Sequence, residues 1–298
     1  MQPSTSTWRG AQPNWAPRCE ASPLASRMTA LIMNARMYSV TPAVEAHWRT
    51  LLERVTQAAG VILGYVPYPA PQPLEDLWRR GDLGCVFMCG YPVALQLADV
   101  TPIAAPVPRA AWAGGRPLYR SDLIVRADSP WSTLEDTFGG RAGWTVEHSH
   151  SGCNAFRHHL LQYRTATRPT LYREMVPNLI TARAILDAVR DGRIDVGPLD
   201  AYWHLLIARH QPELTRGVRV LAATATATLP AFVASATTPA ATIEALRQSF
   251  ADAASQAWFK PLADELLLDG FAQVSATDYE RTLAWDREAR LAGYPLPA

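Results

Sequence analysis

Lysine is almost missing from this 298-residue chain: of 28 basic residues only Lys260 is lysine, and the rest are arginine. With 27 acidic residues the net charge is +1, so no basic stripe marks a nucleic-acid surface or an anionic membrane as a partner. Charged residues are scarce overall, at 18% against about 25% in an average soluble domain. Cysteine is also rare: Cys19, Cys85, Cys89 and Cys153 are too few and too scattered for a disulfide framework. Long apolar runs are lacking as well. Residues 220–243 carry no charge, but Pro230, Pro239 and seven Ser or Thr within them exclude membrane insertion. The amino end, MQPSTSTWRGAQPNWAPRCEASPLASR, has no apolar core of a secretory signal. It reads as a disordered leader over 1–27, or as a start set too early, with Met28 opening the folded chain.

What the chain has in plenty is apolar residues, 48%, cut by 24 prolines and 17 glycines into short elements. This pattern suits a packed α/β protein. MTALIMNARM (28–37) reads as a buried strand. Thr41-Pro42 opens a helix whose Val44, Trp48, Leu51, Leu52 and Val55 recur at helical spacing. Strands follow at 61–66 and 84–90, with helices at LEDLWRRG and Pro92–Ala98. After a change of texture the alternation resumes: strands at 116–130, 141–146, 171–176, 194–200, 217–224 and 230–236, with helices between them. Residues 239–292 read as mostly helical. Such alternation predicts parallel sheet covered by helices, in two units of about 100 residues each.

The stretch richest in chemistry is Glu147-His148-Ser149-His150-Ser151-Gly152-Cys153-Asn154, between a strand and a helix. Two serines and a glycine at a helix start offer N–H and O–H donors that suit an anion. An N-cap alone accounts for one such serine, and Asp200 before AYWHLLIARH reads equally as a cap. Cys153 with His150 and Glu147 offers a rival, nucleophilic reading; Cys153 also suits plain packing. Cys85 and Cys89, or His148 and His150, lack further ligands for a metal, so neither metal nor cofactor is expected.

The runs LYRSDLIVRADSPWSTLEDTFGGRAGWT, HSHSG, AILDAVRDGRIDVGPLDAYW and VRVLAATATATLPAFVAS, with MYSVTPAVE and CGYP upstream, resemble the PhnD-like family. These are the substrate-binding proteins of phosphate, phosphite and phosphonate ABC transporters, and the likeness runs from Met28 to the carboxyl end. It implies the type II periplasmic-binding-protein fold: mixed sheets flanked by helices in two lobes, with a ligand cleft between them. The implied lobes are 28–118 with 222–298, and 119–221, hinged near 118–122 and 219–224. It further implies that Ser149, His150, Ser151 and Gly152 form the anion loop. Tyr38, Tyr91, Asp200 and Trp203 would complete the ligand site. The chain departs from the pattern in having His150 for a threonine, and Ile180-Thr181-Ala182 where relatives often carry Gly-Ser-His. A small anionic ligand is implied, phosphonate-like, phosphate-like or carboxylate, with an ABC permease as partner if the protein is exported. The missing signal argues for the cytoplasm and the family for the periplasm. A cytosolic enzyme on this fold, a lyase, decarboxylase or hydrolase using His150, Cys153 or Asp200, is the alternative.

Overall fold

The computed structural model describes residues 30–298; the leader, Cys19 and Met28 lie outside the described residues. From the amino end, β1 (Ile32–Asn34) and α1 (Pro42–Ala58) lead to β2 (Gly64–Tyr65), α2 (Leu74–Trp78) and β3 (Leu83–Met88). Then come α3 (Gly90–Ala94) and β4 (Val100–Pro108). The chain crosses through β5 (Leu118–Tyr119) to β6 (Ser121–Arg126), β7 (Arg141–Gly143), α4 (Ala155–Leu160) and β8 (Glu174–Val176). It continues with α5 (Ala182–Arg190), β9 (Gly197–Asp200), α6 (Ala201–His210), α7 (Pro212–Thr215) and β10 (Val218–Ala223). It returns through β11 (Ala227–Thr228) to β12 (Ala231–Ser235), α8 (Ala240–Asp252), α9 (Phe259–Leu266), β13 (Leu268–Gln273) and α10 (Glu280–Leu291).

One lobe is built on a six-stranded sheet in the order β13-β4-β12-β3-β1-β2. The other is built on β10-β6-β9, to which β7 and β8 are joined by a parallel bridge at Ala142 and Val196. The two-stranded β5–β11 pair lies where the chain passes between them. The sheets are mixed rather than parallel. Strand β12 returns late in the chain and inserts between β3 and β4, antiparallel to both.

Apolar periodicity holds in α1, where Thr41 caps the Val44 N–H, Pro42 takes the first turn, and the five expected core positions are all fully buried. Strand β3 is buried on both faces. Its Cys85 and Phe87 join the core under α1, and Val86 and Met88 join the core on the other face. Phe87 stacks on Phe232, ring centroids 3.7 Å apart, and Phe232 stacks on Phe250 of α8.

Three of the differences from the sequence reading are instructive. Strand 61–66 shrinks to Gly64–Tyr65, and Ile62 is 92% exposed. Strand β4 is an addition, unexpected because it carries three prolines in nine residues, each lacking the N–H a ladder needs. Two of them, Pro102 and Pro108, sit where the register slips against β12 and β13. Strand β13 falls inside the stretch read as helical; it pairs with β4 and its helix-like spacing yields to that tertiary partner. No helix among the described residues is long and apolar enough to cross a membrane.

The last helix does not stay with the first lobe. Arg157 of α4 and Asp286 of α10 form a buried ion pair, and the Leu171 N–H donates to the carbonyl of Ala298 at 3.0 Å. Tyr294, 2% exposed, packs in the core of the second lobe with Phe156 and Tyr172. The carboxyl end is therefore docked across both lobes.

Candidate functional site

A cavity of about 570 Å³ lies between the lobes. Its wall is assembled from helix starts. Thr41 and Pro42 open α1, Thr181 and Ala182 open α5, Asp200 and Trp203 belong to the start of α6, and Ser149, Ser151 and Gly152 belong to the turn before α4. Each start is capped by its own side chain: Thr41 accepts from Val44 N–H, Thr181 from Ala184 N–H, and Ser149 from Gly152 N–H at 3.0 Å. The positive ends of several peptide dipoles thus converge on one volume, which favours negative charge there.

The turn His150–Asn154 is wider than an α-helical one, with the Ala155 N–H reaching back to the His150 carbonyl. Glycine is required at 152 by close approach: a Cβ there would sit 1.9 Å from Thr145 Oγ1 and 2.9 Å from Ser149 Oγ. Thr145 itself, 6% exposed, lines the cavity, and its hydroxyl has no partner among the described residues. A buried hydroxyl beside a cavity and free of partners is a donor held for something else. Sequence reasoning passed over Thr145. Its signal was position, at the carboxyl side of a strand just before the serine turn, where α/β sheets present their ligand crevice.

Asp200 is both cap and cavity wall. Its Oδ1 accepts from the Tyr202 and Trp203 N–H groups at 3.0 Å each, and its Oδ2 accepts from Tyr38 Oη at 3.2 Å and Ser151 Oγ at 3.3 Å. Burial still outweighs these donors and pushes the carboxyl up to about 6. Arg36, from the first lobe, and Arg183, from α5, also line the cavity. Arg183 pairs with Asp187 on its own helix, whereas Arg36 lies over the Tyr68 ring and bonds the Gln72 carbonyl, with no carboxylate in ion-pair distance among the described residues. Glu45 accepts from Tyr65 Oη at 3.0 Å. Two arginines face two carboxylates, so protonating Asp200 leaves the lining with one net positive charge.

Of the residues singled out from the sequence, Tyr38, Ser149, Ser151, Gly152, Asp200 and Trp203 line the cavity, and Tyr91 and His150 do not. Tyr91 is 3% exposed and its hydroxyl faces Asp286 and Arg157. The glycine before it is needed because Tyr279 lies 2.0 Å from where a Cβ would be, so CGYP reflects packing of α3. His150, 2% exposed, turns to the opposite face of the turn and stacks on Trp285, centroids 5.2 Å apart. Burial first, then His158, Arg281 and Arg157, push its ring down to about 3, so it is neutral and presents no imidazolium to an anion. The Cys153–His150 couple fails for the same reason: Cys153 is 1% exposed and burial pushes its thiol up to about 12. No three His, Cys, Asp or Glu side chains among the described residues gather as a metal site.

A family model described as the periplasmic substrate-binding protein of a phosphonate ABC transporter matches residues 39–279. A search of the curated proteins by sequence found no match. Among solved structures, a binding-protein component of an ABC phosphonate transporter from Pseudomonas aeruginosa is similar at TM-score 0.74 and 16% identity, over 89% of this chain and 88% of that one. A protein from Prochlorococcus marinus in complex with methylphosphonate is similar at 0.72 and 15% identity, over 88% and 98%. The aliphatic sulphonate binding protein of Escherichia coli is similar at 0.56 and 18%, over 90% and 89%. These likenesses share the two-lobed fold with this chain, and the family match spans most of its length. The chain belongs to the family of periplasmic substrate-binding proteins of phosphonate ABC transporters.

Proposed function

We propose that this protein captures a small organic anion in the cavity between its lobes, and that the residues doing so are Ser149, Ser151, Thr145 and Arg36. The observation that carries the reading is the convergence of helix starts around the partnerless Thr145 hydroxyl. Neutral donors and peptide dipoles hold an anion without a buried counter-charge, and Arg36 adds the one cation of the lining with no carboxylate of the described residues in ion-pair distance. The methylphosphonate held by the Prochlorococcus relative agrees with phosphonate-like head groups as the ligand class. Tyr38, Asp200 and Trp203 then wall the ligand from the side of α6.

Release and capture would use the two crossings near 118–122 and 219–224, with an ABC permease as the receiving partner. Lobe exchange at the short strands β5 and β11 suits such a hinge, with the carboxyl end, docked across both lobes, as a third connection that must move with it. The test is calorimetry with methylphosphonate on a Ser149→Ala/Ser151→Ala double variant. Each lost hydroxyl bond is worth about 0.5–1.5 kcal/mol, so affinity should weaken by about one to two orders of magnitude. Stability without ligand should fall by about 1 kcal/mol, the worth of the Ser149 cap. Unchanged affinity would move the anion elsewhere in the cavity.

A further inference from the structure

The proposed head-group residues line only part of a larger space. At about 570 Å³ the cavity has the size of pockets that enclose drug-sized ligands, about 300–1,000 Å³, far more than a one-carbon anion fills. Its wall includes a hydrocarbon set, Met37, Val40, Leu74, Ile180, Pro198 and Trp203, beside its polar groups.

Ile180 is the informative member. Its backbone φ is +65°, in the left-handed region that a β-branched residue strongly disfavours and a glycine adopts freely. Asn178, two residues earlier, is left-handed as well, at φ +56°, but asparagine tolerates that region. The Pro177–Thr181 segment is held there by the Leu179 N–H on the Trp144 carbonyl and the Ile180 N–H on the Thr145 carbonyl. Those bonds tie it to the strand end that carries the cavity's free hydroxyl. The protein's own atoms leave Ile180 48% exposed, so internal packing does not offset its backbone strain. Its hydrocarbon faces the cavity.

Resting on the anion reading, we infer that the ligand carries an extended apolar body behind its anionic head, and that Ile180 is the residue that reads that body. The class is an alkyl or aryl phosphonate or a chemically similar organic acid, rather than phosphate or a one-carbon phosphonate.

Calorimetry with hexylphosphonate, methylphosphonate and hexan-1-ol tests this on the full chain. Hexylphosphonate should bind about tenfold or more tighter than methylphosphonate, from the extra methylenes it buries. Ile180→Gly relieves the backbone, and Ile180→Asn keeps the left-handed turn while removing the hydrocarbon. In both, hexylphosphonate should weaken about tenfold while methylphosphonate stays within about twofold. Equal binding of the two phosphonates by the unaltered protein overturns the inference and leaves the anion reading standing. Equal losses for both ligands in the Ile180 variants overturn the role of Ile180. Hexan-1-ol binding as tightly as hexylphosphonate sinks the anion reading while the apolar body survives. Failure of both phosphonates to bind overturns the two together.

Discussion

The turn from His148 to Asn154 faces two ways, and its two faces are bonded differently. Ser149 and Ser151 look into the cavity, where Ser151 reaches Asp200 only at 3.3 Å and Ser149 spends its oxygen on a cap, keeping its hydrogen. His150, Cys153 and Asn154 look toward α10, where side chains pack closely. Asn154 donates to the Thr282 carbonyl at 2.9 Å, and Arg157 one turn on meets Asp286 at 2.5 Å. The cavity face leaves the Thr145 hydroxyl and the Ser149 hydrogen unspent, and the rear face is packed against protein, although His150 Nε2 and Arg157 Nε there also find no partner among the described residues. One short segment thus lines the cavity with one set of residues and packs against α10 with the other.

The rear face offers the largest effect by which to break this comparison. Arg157 is 3% exposed and serves Asn154 Oδ1 at 2.6 Å, the Pro295 carbonyl and Asp286 at once. Arg157→Ala leaves the Pro295 carbonyl and Asn154 Oδ1 without their donor and Asp286 with Arg290 alone, and should cost about 3–5 kcal/mol in a denaturant titration, with the tail 292–298 becoming protease-sensitive. A loss under about 1 kcal/mol would show that the tail is not an anchor between the lobes.

Gly152→Ala probes the boundary between the faces. Its Cβ would press on Thr145 and Ser149 together, so stability should drop by about 1–3 kcal/mol and anion affinity should fall with it. Loss of stability with full affinity would separate Thr145 from the ligand.

Smaller effects come with pH. Asp200, raised to about 6 by burial, is charged above that value and repels an anion beside it. Binding of hexanesulfonate, which does not titrate in this range, should therefore strengthen as pH falls from 8 to 5, and Asp200→Asn should flatten the slope. The folded state keeps this proton where the unfolded chain, at 3.8, has released it. Stability without ligand should accordingly decline as pH rises between those two values. The smallest expected effect is at the rear: His150→Phe should leave the pH slope of binding untouched, because that ring is already neutral. A changed slope would return His150 to the cavity.

Much of the α/β alternation was legible in sequence, and six of the eight residues expected at the ligand line the cavity. Apolar period and caps are local: Thr41-Pro42 with Val44, Trp48 and Leu51 announces α1 whatever it packs against. The serines and glycine of HSHSG announce a cap and a close approach in the same way. Tyr91 and His150 were misplaced because sequence order says which residues share a turn but not which face of it the neighbouring helix will claim. Here α10, from more than a hundred residues downstream, covers that face and draws both inward.

What the sequence by itself determined is therefore the run of elements, the amphipathic faces of the longer helices, and the chemistry of the serine turn. Only the tertiary structure decided that β4 and β13 are strands, since pairing with distant chain overrode three prolines in one and helical spacing in the other. It alone placed Thr145 beside that turn without a partner and turned Ile180 toward the same space. Hydrogen-bond satisfaction and exposure are properties of the assembled surroundings, set by residues brought together from both lobes.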